Sequence, residues 1–293
     1  MSSYQHVILV GIDGAGSFFK DAKTPCFDRI FENGAVTYRC LSVFPTISAQ
    51  CWGSMLTGVQ PELHGLTNHS IKRSLYPMDS PFPTVFSRIR KALPEAELGA
   101  FCEWDPLLRG LVERELSVTE ATSSDTYLTK MIGHYIWEKR PAFLFVQIDS
   151  VDEAGHRFGY GSSEHLAQIE AVDAFIGDMY EAVLDAGMAD STLFCVVADH
   201  GGTPLLPGME EATHGGWTEN EKFVTFAASG KTVRPGVPQK ICIRDLAAVL
   251  LHSLGIETPT ASPDSFASQI PEDLFNEPGL PSYLALFSDE YSA

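Results

Sequence analysis

The chain has 293 residues, 44% of them hydrophobic, and a formal net charge of −18. That size suits one large α/β domain or two modest ones with an ample core. The acidity argues against a nucleic-acid polymer as partner, because no Lys/Arg group denser than Lys72-Arg73 offsets it.

In chain order, His6 to Ile12 reads as a short, buried parallel strand entered directly from Met1. No basic region followed by an apolar stretch precedes it, so no signal peptide is expected. Asp13 follows in V-G-I-D-G-A-G, where the strand runs out. Its glycines do not fit G-x-G-x-x-G, and a carboxylate in that turn would repel a pyrophosphate. Asp13 reads as a structural loop residue or as a metal ligand, since ligands collect at the carboxyl ends of strands in open α/β sheets.

Thr24-Pro25 predicts a helix start with Pro at the first helical position, and Asn33-Gly34 its end. Ala35 to Phe44 predicts a second strand, broken by Pro45. A helix is expected from about Ser48 to Thr57-Gly58. Ser48 at that helix start is either an ordinary N-cap or a hydroxyl held where the helix dipole favours negative charge. Thr46 is a rival hydroxyl nearer the Pro45 turn.

Pro83 to Leu93 reads as helix, Glu97 to Cys102 as a weak strand, Thr122 to Lys139 as an amphipathic helix, and Ala142 to Ile148 as a strong strand. Just beyond lie Asp152 and His156 in I-D-S-V-D-E-A-G-H-R-F-G. Four residues apart, they face one metal if the segment coils as a helical turn; Asp149 and Glu153 are competing oxygens. Ser162 to Ala186 predicts a long helix, with Ile169, Val172, Ile176, Met179, Tyr180 and Val183 at helical spacing.

Thr192 to Ala198 is another strong strand, ending in Asp199-His200-Gly201-Gly202. Adjacent Asp and His both ligate only at a sharp turn, which the two glycines would permit. His214 sits in a similar T-H-G-G-W turn. Phe223 to Ala228 predicts a strand and Ile243 to Leu254 an apolar helix in which His252 is expected to pack. His64 is expected at most to support a site from behind. The tail from about Thr258 to Ala293 is expected to pack on the core. Strands alternating with helices, with no linker between domains, predict one α/β domain over residues 1–293: a three-layer α/β/α sandwich with a mostly parallel central sheet. The six cysteines are scattered without a C-x-x-C pair, which reads as free buried thiols in a reducing cytoplasm, the expected compartment. No stretch reaches the roughly 20 apolar residues of a membrane helix, so no membrane partner is expected.

The ordered set V-G-I-D-G, F-P-T-I-S-A-Q-C-W-G-S-M-L-T-G-V-Q-P-E-L-H-G-L-T-N, D-S-V-D-E-A-G-H-R-F-G, A-D-H-G-G and T-H-G-G-W resembles the alkaline phosphatase superfamily. Within it, the pattern is similar to the type I phosphodiesterase/nucleotide pyrophosphatase branch, across roughly residues 6 to 256. The resemblance implies an alkaline phosphatase-like core with a minimal cap. It implies two divalent metals, zinc or manganese. One would be held by Asp152, His156 and His214, the other by Asp13, Asp199 and His200. Ser48 would be the nucleophile, bridging metal and substrate through a covalent phospho-intermediate, and Asn68 would contact a phosphate oxygen. Three carboxylates and two divalent cations sum to about +1, which makes an acidic chain hospitable to a phosphoester.

The implied activity is a two-metal phosphoester hydrolase, first of all a phosphodiesterase/nucleotide pyrophosphatase, acting on a small-molecule phosphoester. Phosphomonoesterase, phosphonate hydrolase and phosphomutase are alternatives on the same scaffold, and an inactive metal-dependent binding protein a remote one. A monoesterase should offer an Arg or Lys to the extra phosphate oxygen; Arg73, Arg109 and Arg157 are candidates. The chain departs from the branch in having Ser48-Ala-Gln-Cys where Thr-Phe-Pro-Asn is usual, and in the short loop Thr203 to Thr213. Sulfatase chemistry is not expected, because C-x-P-x-R is missing. Oligomeric state is left open.

Overall fold

A computed structural model describes residues 4–238, 240–258 and 268–276. In chain order the elements are β1 (His6–Ile12), α1 (Pro25–Phe31), β2 (Ala35–Leu41), α2 (Ser48–Thr57), α3 (Pro61–His64), α4 (Asn68–Ile71) and α5 (Val85–Ala92). Then come β3 (Leu98–Cys102), α6 (Pro106–Leu111), β4 (Thr119–Ala121), α7 (Asp125–Lys139), β5 (Phe143–Ile148), α8 (Ser150–Phe158) and α9 (Ser163–Asp185). The chain continues through β6 (Thr192–Ala198), α10 (Glu219–Lys222), β7 (Phe223–Ser229) and α11 (Leu246–Ser253).

The seven strands form one sheet in the order β2-β7-β6-β1-β5-β3-β4. All neighbours pair in parallel except β7, which runs antiparallel to both β6 and β2. Helices α1, α7, α8 and α9 pack together as one layer, and α2, α5, α6 and α11 as another. This is the expected three-layer sandwich. The central strands read as nearly continuous apolar runs because both faces are covered: β5 and β6 are buried at every position. Between β6 and α10 the chain has no helix or strand, so the loop that could carry a cap stays short.

Several boundaries differ from the sequence expectation. The second strand ends at Leu41, three residues early, and a cis peptide joins Phe44 to Pro45. The helix expected from Thr122 begins at Asp125 because Thr119–Ala121 joins the sheet edge beside β3. Thr24 makes no capping bond to α1; Asp173 of α9 does so instead, accepting from Cys26 N at 2.9 Å and Phe27 N at 2.8 Å. The cap thus comes from tertiary packing, which local sequence does not reveal.

Of the tail, residues 268–276 lie on the core: Leu274 and Phe275 are buried, and Ser268 Oγ accepts from Ala248 N at 2.8 Å. The remainder of the expected tail, 259–267 and 277–293, lies outside the described residues. His252 packs near the Phe275 ring, with centroids 5.6 Å apart. All six cysteines are free, and five are buried. Among the described residues no helix is long and apolar enough to cross a membrane.

Candidate metal centre

Strand order builds the site. β1 lies between β6 and β5, with Ile12 level with Ala198 on one side and Ile148 on the other. One residue further on, Asp13 and Asp199 leave the sheet side by side. Asp149 leaves β5 at the same level, and α8 then carries Asp152 and His156 on its first turns. That confirms the helical turn expected for the Asp152–His156 spacing.

The inner part of the cluster is fully buried: Asp13, Asp199 and His200 are each 0% exposed. Their ligand-type atoms lie within 4.8 Å of one another, as do those of Asp152, His200 and His214. From His200 Nε2 the distances are 3.2 Å to Ser48 Oγ, 3.3 Å to Asp199 Oδ2 and 3.4 Å to Asp13 Oδ1. A tetrahedral ion with ligand bonds of about 2.0–2.1 Å has ligand-to-ligand edges of about 3.3 Å. The three distances fit that edge.

Hydrogen bonds fix which atoms point inward. His200 Nδ1 lies 3.0 Å from the Gly201 carbonyl, His156 Nδ1 2.8 Å from that of Ala212, and His214 Nδ1 2.7 Å from that of Thr46. A carbonyl only accepts, so each Nδ1 carries the proton and each ring presents Nε2. The carboxylates behave alike. Asp13 Oδ2 accepts from Trp52 Nε1 at 2.9 Å and Gln147 Nε2 at 3.0 Å. Asp199 Oδ1 accepts from Gly14 N at 3.1 Å and His200 N at 2.8 Å. The opposite oxygens, Asp13 Oδ1 and Asp199 Oδ2, are buried without a hydrogen-bond partner.

Two orphaned carboxylate oxygens facing an imidazole lone pair are costly unless protons or a cation join them. Burial, and then the charges of neighbouring aspartates, push the Asp13 and Asp199 carboxyls well above the usual range. Burial lowers His200 to about 3, so it stays neutral and keeps its lone pair. The donor set therefore fits a divalent cation with mixed nitrogen and oxygen ligation.

The outer part is more open. Asp152 is 9% exposed, and His156 and His214 are half-buried. His156 Nε2 lies 3.2 Å from Asp152 Oδ2. That hydrogen bond, working against burial, raises His156 to about 9. For Asp152 burial acts upward, but the bond to His156 and that ring's charge hold the carboxyl below the usual range. The His200 and His214 rings stack at 3.9 Å, so His200 stands between the two groups.

Ser48 is not the N-cap of α2. Ile47 occupies that position without a side-chain cap, and Ser48 is the first helical residue. Since His200 Nε2 lacks a proton, Ser48 Oγ–H donates to it. Thr46 is committed elsewhere: its hydroxyl donates to the Gly216 carbonyl at 2.8 Å and accepts from Gly215 N at 3.0 Å. It clamps the loop bearing His214, which Glu221 holds from the other side through Gly216 N at 2.7 Å. Asn68 opens α4, and its Oδ1 accepts from Ala49 N at 2.9 Å, beside Ser48.

All of Asp13, Ser48, Asp152, His156, Asp199, His200 and His214 are thus gathered at one end of the sheet, with Asn68 adjoining. Of the competing oxygens, Glu153 is exposed and Asp149 Oδ1 accepts from Gln147 Nε2 at 2.9 Å. His64 lies on the rear of α2, 3.1 Å from Ser54 Oγ. Arg109 pairs with Asp105, and Arg157 rests on the Phe158 ring. Among the described residues no Lys or Arg bonds to any of these candidate residues.

Gln147, Trp52 and Tyr160 escaped the sequence reading. Gln147 had a signal: a lone amide in a buried strand must find polar partners. Trp52, one helical turn after Ser48, reaches Asp13 because its ring occupies the space over Gly11, where a Cβ would lie 2.2 Å away. Gly201 and Gly202 serve differently from expectation. Neither has positive φ, and each leaves room for a close neighbour, the Asn220 carbonyl and the Tyr160 ring.

A family model for type I phosphodiesterase / nucleotide pyrophosphatase matches residues 7–84 and 108–246, more than half of the chain. Venom phosphodiesterase 2 of Crotalus adamanteus is 24% identical over 152 residues, which cover 49% of this chain and 15% of that protein. The 2,3-bisphosphoglycerate-independent phosphoglycerate mutase of Syntrophotalea carbinolica is 32% identical over 102 residues, covering 34% of this chain and 18% of the mutase. The matches therefore span less than a fifth of these relatives' length. Human ectonucleotide pyrophosphatase / phosphodiesterase 5 superposes with TM-score 0.74 at 17% identity, covering 93% of this chain and all of that one. An inactive threonine-to-alanine variant of the murine protein in complex with AMP superposes with TM-score 0.72 at 16% identity, covering 88% and 97%. With the family model matched along most of the β1-to-α11 core, the chain belongs to the type I phosphodiesterase / nucleotide pyrophosphatase family of the alkaline phosphatase superfamily.

Proposed function

We propose that this chain is a two-cation phosphodiesterase, with zinc or manganese as the cations, acting on a small-molecule phosphodiester through Ser48. The observation that carries the reading is the convergence of Ser48 Oγ and two orphaned carboxylate oxygens on His200 Nε2 at 3.2–3.4 Å. Asp13, Asp199 and His200 would hold one cation, and Asp152, His156 and His214 the other. Bound there, the cations would supply Lewis acidity and make hydroxyl and water better nucleophiles at neutral pH.

The chain's own residues do the rest. Ser48 Oγ loses its proton and attacks phosphorus; a Ser–O–P bond forms as the bond to the leaving oxygen breaks, and the proton ends on that leaving oxygen. Water then cleaves the Ser–O–P bond, returning a proton to Ser48. Ser48 is the first residue of α2, so the positive dipole end of that helix lies beside the attacking oxygen and favours an anion there. Asn68, anchored by its Oδ1 on Ala49 N, keeps its side-chain amide N–H groups for a phosphate oxygen.

Two features support a diester over a monoester. Among the described residues no Lys or Arg bonds to the cluster, so a second full negative charge on phosphate lacks a partner there. Beside the site, exposed Phe44 and Trp217 meet edge to face at 5.9 Å, on the segments that carry Ser48 and His214. Such a rim suits an organic substituent, and a nucleotide ester is the substituent that the AMP complex of the murine relative suggests. We further propose a cytoplasmic setting, in keeping with six free cysteines.

The test compares bis(p-nitrophenyl) phosphate, p-nitrophenyl phosphate and a nucleotide p-nitrophenyl ester, with zinc and with manganese. Faster turnover of the diesters is expected, and roughly 10³-fold loss in Ser48→Ala. Preference for the monoester would move the reading to phosphomonoesterase. No turnover of any substrate after metal loading would sink the hydrolase reading.

A further inference from the structure

We infer that Tyr160 fixes Asp152 as a one-oxygen ligand and thereby sets the cation affinity of the outer position. The inference rests on the two-cation reading above, and it concerns a residue that the metal chemistry alone does not require.

Each of the three carboxylates has one oxygen held back by protein donors. For Asp13 these are Trp52 and Gln147, and for Asp199 two backbone N–H groups. For Asp152 the donor is the Tyr160 hydroxyl, 2.7 Å from Oδ1. The other oxygen, Oδ2, faces His156 Nε2 at 3.2 Å. A carboxylate so held offers one oxygen in one direction, whereas an unheld one swings or presents both.

Tyr160 is itself immobilised. It is 3% exposed, and its ring lies in a slot between two glycines. A Cβ on Gly155 would fall 2.4 Å from the ring, and one on Gly202 2.3 Å. The same ring lies against His156, His165 and His214, with centroids 5.8, 5.4 and 6.2 Å away. The phenol therefore cannot turn from Asp152 without moving α8 or the Asp199-His200-Gly-Gly turn. Partners that orient ligands are typically worth roughly 10–100-fold in metal affinity.

The test is zinc titration of metal-free wild type, Tyr160→Phe and Asp152→Asn by competition with a chromophoric chelator, with cobalt(II) spectra alongside. Wild type is expected to bind two cations. In Tyr160→Phe one site should weaken roughly 10–100-fold, the same site that Asp152→Asn removes, while the other keeps its affinity. The cobalt(II) bands of that one site should shift.

Phe keeps the ring in its slot, and p-aminophenylalanine at position 160 restores a donor. Affinity rescued by the amine separates orientation of Asp152 from packing of the ring. If wild type binds two cations and Tyr160→Phe leaves both constants and the cobalt spectrum unchanged, the Tyr160 assignment is overturned and the two-cation reading stands. Unrescued weakening also overturns it. If wild type fails to bind two cations, the underlying reading itself fails.

Discussion

The two halves of the cluster solve the same problem differently. The inner half, Asp13, Asp199 and His200, grows from adjacent strand ends and is sealed, each residue 0% exposed. It has no internal counter-charge, and two of its carboxylate oxygens are orphaned. The outer half sits on α8 and on the loop clamped by Thr46 and Glu221, and it is partly open to water. There Asp152 is balanced by His156 and bonded by Tyr160. Sheet register makes the inner half rigid but electrostatically incomplete. Side-chain pairing makes the outer half complete but adjustable. Under the two-cation proposal the inner half would need its cation for stability as well as for chemistry, whereas the outer half would need one for chemistry alone.

The largest effect that follows is on turnover. Asp199→Asn and Asp13→Asn are each expected to remove the inner cation and lower kcat/KM by roughly 10³-fold or more, since Ser48 shares that position. Asp152→Asn should remove only the outer cation and leave the inner one bound. Metal analysis of the purified variants beside their kinetics checks this. Loss of both cations from every variant would erase the division into halves.

The second effect is on the metal-free fold, and its sign differs between halves. Asp199→Asn removes a carboxyl whose ionisation burial opposes while keeping an oxygen for Gly14 N and His200 N, so the metal-free protein should gain on the order of 1–3 kcal/mol. Asp152→Asn removes the carboxylate paired with His156, so the metal-free protein should lose stability instead. Urea unfolding in the presence of a strong chelator measures both. Equal signs for the two variants would contradict the comparison.

The halves also differ in how legible they were. Strand ends at Ile12, Ile148 and Ala198 were readable because nearly continuous apolar runs mark buried strands, and all three strands lie where they were expected. An Asp at each end then follows in sequence, and parallel register aligns them. The Asp152–His156 spacing was readable for the same reason: helical periodicity is local. What held these groups was not readable. Trp52 reaches Asp13, Asp173 caps α1, Thr46 clamps His214 and Tyr160 reaches Asp152. Two of those links, Asp173 to α1 and Thr46 to His214, join residues about 146 and 168 positions apart, which no local pattern encodes. Ser48 was legible as a helix start, but whether it capped the helix or faced the cluster depended on where Ile47 fell.

The smallest effect separates the cluster from its scaffold. His64 and His165 lie outside the cluster, and burial lowers both to about 4. His64 Nδ1 accepts from Leu66 N at 3.0 Å, and His165 Nδ1 from Gly161 N at 3.3 Å, so each ring is built in neutral. Unfolded, each would titrate near 6.5. Between pH 6.5 and 4 the unfolded chain therefore binds more protons than the folded one, and stability must fall as pH drops through that window. Asp149, raised to about 7 by burial and then by the Asp152 charge, has the opposite sign. Its folded form binds more protons above pH 3.8, so its contribution falls as pH rises toward 7. The two signs can be told apart with His64→Gln, which removes one scaffold titration and leaves the cluster untouched. Between pH 7 and pH 5 the variant should lose about 2 kcal/mol less stability than wild type. Identical losses would mean that His64 titrates normally in the folded protein, and that acid sensitivity resides in His165 and the cluster.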